Sequence, residues 1–370
     1  MSLTESAPRG SRVRVESGKE VNGSAGKATP DAQAAPDAQA ARNAEAAPDA
    51  EAAPSTDSIA LPPPPPPSKG LPLVLWRLGG LLLTMRPHQW VKNVFVLAPM
   101  VFARELFVTD LAVRAIGAFG VFCLLTGAVY TMNDLVDIDA DATHPVKRYR
   151  PIPSGRVPLE WARNGAIALV LISLAGAAIG PWEFLVTAAG YFLLNVAYSF
   201  RLKKKAYLDV LAISAGFVLR VLAGGFATHI EVSKYLVLCT ALLAVFLGLG
   251  KRRHELISAA RGIAQQQRAA LGGYSRRGLK WALRGTAVLT VASYVAYTLD
   301  PETEGFFGSQ RLWWSSTFVV LALWRFMVLV RTRPAAESPT QEMLRDGPFV
   351  AVVFSWAALV LWLVYNLGPS

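Results

Sequence analysis

Four oxygen-bearing side chains follow one another at the end of an apolar stretch: Asn133, Asp134, Asp137 and Asp141. At about 100° per residue, Asn133, Asp137 and Asp141 lie one turn apart on one helical face, and Asp134 joins them. Stacked carboxylates repel one another unless a cation neutralises them. Oxygen ligands suit Mg²⁺, which shares its shell with substrate phosphates. The spacing predicts a Mg²⁺ site; the alternative is a solvated helix end that is merely acidic.

A basic loop follows the acidic residues directly. Lys147, Arg148 and Arg150 lie in a stretch in which Pro145, Pro151 and Pro153 prevent the helix from continuing. A metal beside such cations is suited to a pyrophosphate, because the metal bridges its oxygens while Lys and Arg neutralise the remaining charge. We therefore expect Asp134, Asp137, Asp141, Lys147 and Arg148 to be catalytic and Arg150 to bind substrate. The alternative is an ordinary basic loop beside a membrane.

Other polar residues lie near the ends of apolar segments and are candidates for substrate binding. They are Lys92, Asn93, Tyr198, Lys203, Lys204, Asp209, Lys251, Arg252 and Glu255. Arg220 lies in the middle of an apolar segment, where an unpaired charge is costly. We expect Arg220 to face the interior of a helix bundle and a polar partner.

Membrane-spanning helices must position these residues. The chain has 370 residues, of which 53% are hydrophobic and 17% charged, whereas soluble domains carry about 25% charged residues. A span needs about 20 mostly apolar residues. Nine candidates are present, at roughly 88–106, 111–134, 162–180, 182–200, 209–228, 232–250, 281–299, 311–330 and 348–367. We predict an all-α, polytopic membrane bundle of nine transmembrane helices.

The distribution of charge predicts the orientation. The formal net charge is +11, and the connections after spans 2, 4, 6 and 8 are rich in Lys and Arg. The positive-inside rule places these loops, the N-terminus and the acidic cluster on the cytoplasmic side. The same rule accounts for the basic charge, so we expect no nucleic-acid binding. Residues 1–70 lack aromatic residues and contain six consecutive prolines. We predict a disordered Ala/Pro-rich cytoplasmic tail at 1–70 and a transmembrane catalytic domain at 71–370.

The acidic residues match an N-D-x-x-D-x-x-x-D motif, and the chain over about 85–367 resembles the UbiA superfamily of intramembrane prenyltransferases. The stretches 86–93 and 144–151 resemble a narrower branch of it, the decaprenyl-phosphate phosphoribosyltransferases of actinobacterial cell-wall arabinan synthesis. Ordinary members carry a second D-x-x-x-D motif after the sixth helix. Here that region reads Lys251-Arg-Arg-His-Glu255, which suggests that the second site holds a phosphate directly.

The resemblance implies an Mg²⁺-dependent phosphoribosyltransferase of the plasma membrane that acts in arabinogalactan precursor synthesis. Its donor would be phosphoribosyl pyrophosphate and its acceptor a polyprenyl phosphate such as decaprenyl phosphate. An oligomer is compatible with the sequence. One alternative is a UbiA-type aromatic prenyltransferase, although its second acidic motif is missing. Another is a membrane transporter or lipid flippase, although the polar residues gather at one membrane face and no inverted repeat is found.

Overall fold

The structure is a computed structural model, and it describes residues 67, 69–260, 269–307, 311–333 and 339–366. The predicted tail at 1–70 lies almost wholly outside the described residues, so its disorder stays a prediction. All regular structure in the described ranges is helical, which confirms the predicted all-α class.

The helices are labelled in chain order. They are α1 (Leu71–Thr84), α2 (Ala98–Phe102), α3 (Thr109–Val136), α4 (Ile138–Ala142), α5 (Leu159–Ala178), α6 (Trp182–Phe200), α7 (Leu208–Thr228), α8 (Lys234–Ala260), α9 (Arg276–Thr298), α10 (Pro301–Phe307), α11 (Ser316–Thr332), α12 (Pro339–Arg345) and α13 (Gly347–Asn366). Short 3₁₀ segments connect several of them, at Pro87–Leu97, Lys147–Tyr149, Leu202–Lys204, Ala269–Gly273 and Leu312–Ser315.

Seven helical segments in the described part of the chain are long and apolar enough to cross a membrane, so the expected count of nine is not confirmed. The expected span at 88–106 is divided between a 3₁₀ segment and the five-residue α2. The expected span at 281–299 is the 23-residue α9, which is not among the seven. The first turns of α9 carry several Lys and Arg residues, which lower its apolar character.

Two hydrophobic cores lie on either side of α7. One packs Phe122 of α3, Tyr191 of α6 and Ala223 of α7 together. The other packs Val210 of α7 against Phe246 of α8 and residues of α9 and α11. Because α7 contributes to both cores, it is among the most buried spans and ties the two groups of helices together.

The 3₁₀ segment Pro87–Leu97 lies directly against α7. A Cβ atom on Gly224 would lie 1.9 Å from the carbonyl oxygen of Val96, so only glycine allows this approach. Asn93, in the same segment, is fully buried. The close contact therefore carries polar side chains of this segment into the interior of the bundle.

Candidate active site

The acidic cluster lies where α3 passes into α4. The helix breaks at Asp137, whose φ is −94° and ψ is 10°. Helical hydrogen bonds nevertheless continue, because the Asp137 N–H donates to Asn133 at 3.0 Å and the Asp141 N–H donates to Asp137 at 2.8 Å. The predicted helical spacing is therefore nearly preserved. Asp134 and Asp141 are buried, whereas the Asp137 side chain is 43% exposed.

Asp134 is paired with two arginines. Nη2 of Arg86 lies 2.5 Å from Oδ1 of Asp134, and Nη1 of Arg150 lies 3.3 Å from the same oxygen. The Arg86 guanidinium also stacks over the ring of Tyr130, with 4.9 Å to the ring centroid. Arg86 has a φ of +53°, a conformation that non-glycine residues rarely adopt and that is often found at functional sites.

The basic loop closes over Asp141. Nη1 of Arg150 lies 2.5 Å from Oδ2 of Asp141, so a single guanidinium nitrogen bridges Asp134 and Asp141. Nζ of Lys147 lies 3.9 Å from the other oxygen of Asp141. The predicted proximity of this loop to the carboxylates is thus present. Arg148 is exposed and donates to the hydroxyl of Tyr149 at 2.6 Å, so the structure does not bring it to the carboxylates.

His144 shapes the turn of this loop. Its Nδ1 accepts hydrogen bonds from the N–H groups of Val146 and Lys147, at 3.2 and 3.3 Å. Burial, followed by the charge of Lys147, lowers the pKa of His144. The lowered pKa favours the neutral imidazole that these two hydrogen bonds require.

A second connection reaches the acidic cluster. Nζ of Lys203, in the turn between α6 and α7, lies 3.3 Å from Oδ1 of Asp137. Lys204 is exposed beside it and Tyr198 is half-buried. The structure therefore brings Lys203 to the acidic cluster, and Lys204 is the exposed residue next to Lys203.

A buried network fixes the start of α7. Asp209 is fully buried, and its Oδ2 lies 2.8 Å from Nε of Arg252 on α8. The hydroxyl of Tyr274 donates to Asp209 Oδ1 at 2.5 Å and accepts from the N–H of Tyr207 at 2.8 Å. Arg252 also pairs with Glu255.

This network changes the interpretation of the region after α8. Arg252 is 1% exposed and is paired with two carboxylates, so its charge is already balanced within the protein. Lys251, beside it, is half-buried. Arg252 and Asp209 are both predicted to bind substrate, but the structure pairs them with each other, and this geometry favours a positioning role for Arg252 over a direct phosphate contact.

A third polar group lies deeper in the bundle. The side-chain oxygen of Asn93 accepts from Nε of Arg220 at 2.8 Å and from Thr126 at 3.3 Å. Arg220 also donates to the hydroxyl of Tyr191 at 2.7 Å. The expectation that Arg220 faces the interior and a polar partner is confirmed. Lys92 is half-buried and lies close enough to Arg86 and Arg220 to interact electrostatically with both.

The side chains of the acidic cluster suit a divalent cation by chemical type, but they are not drawn together around one point. Oδ1 of Asn133 is buried and has no hydrogen-bond partner among the described residues, which is costly for a polar atom unless a ligand satisfies it. Asp134, Asp137 and Asp141 follow it within eight residues, and oxygen donors of this kind suit Mg²⁺. Among the described residues, no three acidic, His or Cys side chains are close enough to share one ion. Instead, Arg86, Arg150 and Lys203 neutralise the carboxylates.

A model of the UbiA prenyltransferase family matches residues 93–343. The chain belongs to the UbiA prenyltransferase family. The predicted family is thereby confirmed, and the chain is a multi-pass membrane protein and an enzyme of the prenyltransferase type. Decaprenyl-phosphate phosphoribosyltransferase from Mycolicibacterium smegmatis is 32% identical over 312 residues, which cover 81% of this chain and 96% of that protein. The protein of the same name from Mycobacterium tuberculosis is 36% identical over 291 residues, which cover 76% and 93%.

A solved structure shares the fold. A UbiA homologue from Archaeoglobus fulgidus, bound to GPP and Mg²⁺, superimposes with a TM-score of 0.56 over 78% of this chain and 98% of that chain, at 18% identity. This likeness confirms the UbiA fold.

Sequence reasoning missed two residues of the candidate active site. Arg86 is recognisable in the sequence only as part of a polar stretch, because its pairing with Asp134 spans 48 residues. No local sequence pattern identifies Tyr274 as a site residue, because its contact with Asp209 spans 65 residues. Only three-dimensional packing brings either pair together.

Proposed function

We propose that this UbiA family protein transfers the 5-phosphoribosyl group of phosphoribosyl pyrophosphate to a polyprenyl phosphate, such as decaprenyl phosphate, and releases pyrophosphate. The observation that carries the proposal is the bridge that Arg150 makes between Asp134 and Asp141. It places cations and carboxylates side by side, an arrangement suited to a metal-bound diphosphate. The names and the near full-length similarity of the two mycobacterial relatives support the choice of donor and acceptor.

In the proposed reaction, a phosphate oxygen of the acceptor attacks C1 of the ribose. The bond between C1 and the diphosphate oxygen breaks, and pyrophosphate leaves with the electron pair. C1 becomes oxocarbenium-like, as in glycosyl transfer generally. The acceptor phosphate is already anionic at neutral pH, so no strong general base is required. Catalysis then consists of positioning and electrostatic stabilisation.

The proposed roles of the residues of the acidic cluster and the basic loop follow from their positions. Asn133, Asp134, Asp137 and Asp141 would hold Mg²⁺, which neutralises diphosphate charge when bound. Arg86, Lys147 and Arg150 lie beside these carboxylates and would take up charge on the leaving pyrophosphate. Arg148, exposed on the same loop, would contact the diphosphate only from its outer side.

The remaining phosphates need further cations. Lys92, Lys203, Lys204 and Lys251 are the candidates for the acceptor phosphate and the ribose 5-phosphate, with Tyr198 as a hydrogen-bonding group. Asp209, Arg252 and Glu255 would position this region through their buried pairing. We further propose that the active site and N-terminus face the cytoplasm at the plasma membrane, and that the product serves arabinogalactan synthesis.

The test uses the full chain in membranes, with phosphoribosyl pyrophosphate labelled in the ribose and with decaprenyl phosphate. Label should enter the lipid fraction only when both substrates are present. Asp137→Asn should abolish transfer, and because Asp137 is 43% exposed, the variant is expected to fold. Asp139→Asn is the matched control, since Asp139 is exposed two residues away, and it should keep full activity.

Three results would overturn the proposal. Full activity of Asp137→Asn would reject the site. Prenylation of an aromatic acceptor with no labelled lipid would favour an aromatic prenyltransferase. Movement of lipid across the bilayer without chemical turnover would favour a transporter or flippase.

A further inference from the structure

A basic groove lies between α8 and α9, and no residue of the acidic cluster lines it. It has a volume of about 310 Å³ and is lined by Arg253, Leu256, Ile257, Arg276, Arg277 and Lys280. The three α8 residues have spacings of three and four and so share one face of the helix. Arg252, which pairs with Asp209, lies about a quarter of a turn from the centre of this face. The residues that line the groove are thus different from those that pair with Asp209 and with the acidic cluster.

The cations of the basic groove have no acidic partner among the described residues. Within the described part of the chain, none of Arg253, Arg276, Arg277 and Lys280 lies within 4.0 Å of a carboxylate. Arg86, Arg150, Lys203 and Arg252 at the candidate active site are, by contrast, all paired. Topology accounts for many basic residues near membrane helix ends, but it does not require them to converge on one concave surface without counter-charge.

The surroundings of the basic groove raise its positive potential further. Arg284 and Arg331 are close enough to act electrostatically on Arg253. The first turn of α9 contains no acidic residue, although the positive end of the helix dipole favours acidic residues there. An anion in the groove would relieve this accumulation of like charge.

Two features place the groove at the level of lipid headgroups. Trp281 is 62% exposed, and the Arg284 guanidinium stacks over its ring at 5.3 Å. Exposed tryptophans of membrane proteins gather at the membrane–water interface. The wall formed by Leu256 and Ile257 is apolar, so it suits the upper part of an acyl chain beneath an anionic headgroup.

We propose that the basic groove binds the headgroup of an anionic phospholipid, separately from the substrates of the transfer reaction. Basic pockets between transmembrane helices are suited to lipid phosphates. Arg276, Arg277 and Lys280 would contact the phosphate, and Arg253 would close the inner side.

The test is native mass spectrometry of the full-length protein in a neutral detergent, with equimolar phosphatidylglycerol and phosphatidylcholine added. The wild-type protein should retain one phosphatidylglycerol in preference to phosphatidylcholine. The double variant Arg276→Gln/Arg277→Gln should lose about tenfold or more of that preference. Arg163→Gln/Lys205→Gln is the matched control, because it removes two exposed cations elsewhere and should keep the preference.

The outcomes distinguish a lipid site from a diffuse effect of charge and from a site for free phosphate compounds. Equal preference in the wild type and in Arg276→Gln/Arg277→Gln would overturn the proposal. So would an equal loss in the control, which would indicate a diffuse charge effect. Displacement of the retained phosphatidylglycerol by millimolar pyrophosphate would assign the groove to a free phosphate compound instead.

Discussion

Nη2 of Arg86 lies 2.5 Å from Oδ1 of Asp134, although 48 residues separate the two in sequence. The contact joins the start of the 3₁₀ segment Pro87–Leu97 to the end of α3. Arg150 approaches the same carboxylate oxygen, so two positive charges meet one buried negative charge. Because Arg150 also pairs with Asp141, the two arginines neutralise two carboxylates and are held beside the acidic cluster.

Replacing Arg86 with Gln should lower the rate of phosphoribosyl transfer by about tenfold to a hundredfold, because a hydrogen bond to a charged group contributes about 1.5–3 kcal/mol. The rate is measured by transfer of ribose label to lipid. Arg114→Gln is the control, since Arg114 pairs with the exposed Asp110 one turn away. An unchanged rate in Arg86→Gln would exclude Arg86 from the site.

Replacing Tyr274 with Phe should destabilise the protein by about 1.5–3 kcal/mol, because buried Asp209 loses a donor and the N–H of Tyr207 loses its acceptor. Thermal unfolding in detergent measures the loss. Tyr235→Phe removes a hydrogen bond to Asp300 outside this network and should cost less. Equal losses in both variants would argue against a special role for the Asp209 network.

Replacing Asn93 with Leu should destabilise the bundle by about 1–3 kcal/mol, because buried Arg220 loses an acceptor for its Nε. The folded fraction should keep a nearly unchanged KM for phosphoribosyl pyrophosphate, as expected of a residue whose polar atoms are satisfied inside the protein. Unfolding and steady-state kinetics measure the two effects. A large rise in KM at unchanged stability would instead place Asn93 in direct contact with the donor.

The ionisation of Asp346 should make the stability of the protein depend on pH in the acidic range. Its hydrogen bond with Arg325 holds the pKa of Asp346 below its usual value, and the N–H of Phe349 adds to the effect. A carboxyl group whose pKa is lower in the folded than in the unfolded protein stabilises the fold when the pH is above its unfolded pKa of about 3.9. This stabilisation disappears as the pH falls through the lower pKa of the folded protein.

The difference in melting temperature between wild type and Asp346→Asn should therefore stay constant from neutral pH to about pH 5 and shrink below about pH 4. Unfolding in detergent across this pH range measures it. A difference that grew on acidification would contradict the assignment. Asp110→Asn, on the exposed pair with Arg114, should show little difference at any pH.

The family, the helical class and the acidic cluster could be predicted from the sequence, because these depend on local spacing. The order Asn133, Asp134, Asp137 and Asp141 determines which residues a helix presents together, whatever the tertiary fold. The nearby basic loop was predicted equally well, since Arg150 follows Asp141 by only nine residues.

Features that depend on distant contacts could not be predicted. Apolar composition around 88–106 suggested one continuous span, but Pro87 begins a 3₁₀ segment that Gly224 allows to pack against α7. Arg252 looked like a free cation for phosphate, because its pairing with Asp209 spans more than 40 residues and is visible only in the fold.

The proposed function is tested most sharply by mass spectrometry of the lipid product that the purified protein makes from phosphoribosyl pyrophosphate and decaprenyl phosphate with Mg²⁺. Decaprenyl phosphate should gain one phosphoribosyl group, and an equal amount of pyrophosphate should be released. Recovery of unmodified decaprenyl phosphate from protein that is folded and supplied with both substrates would contradict the proposed function.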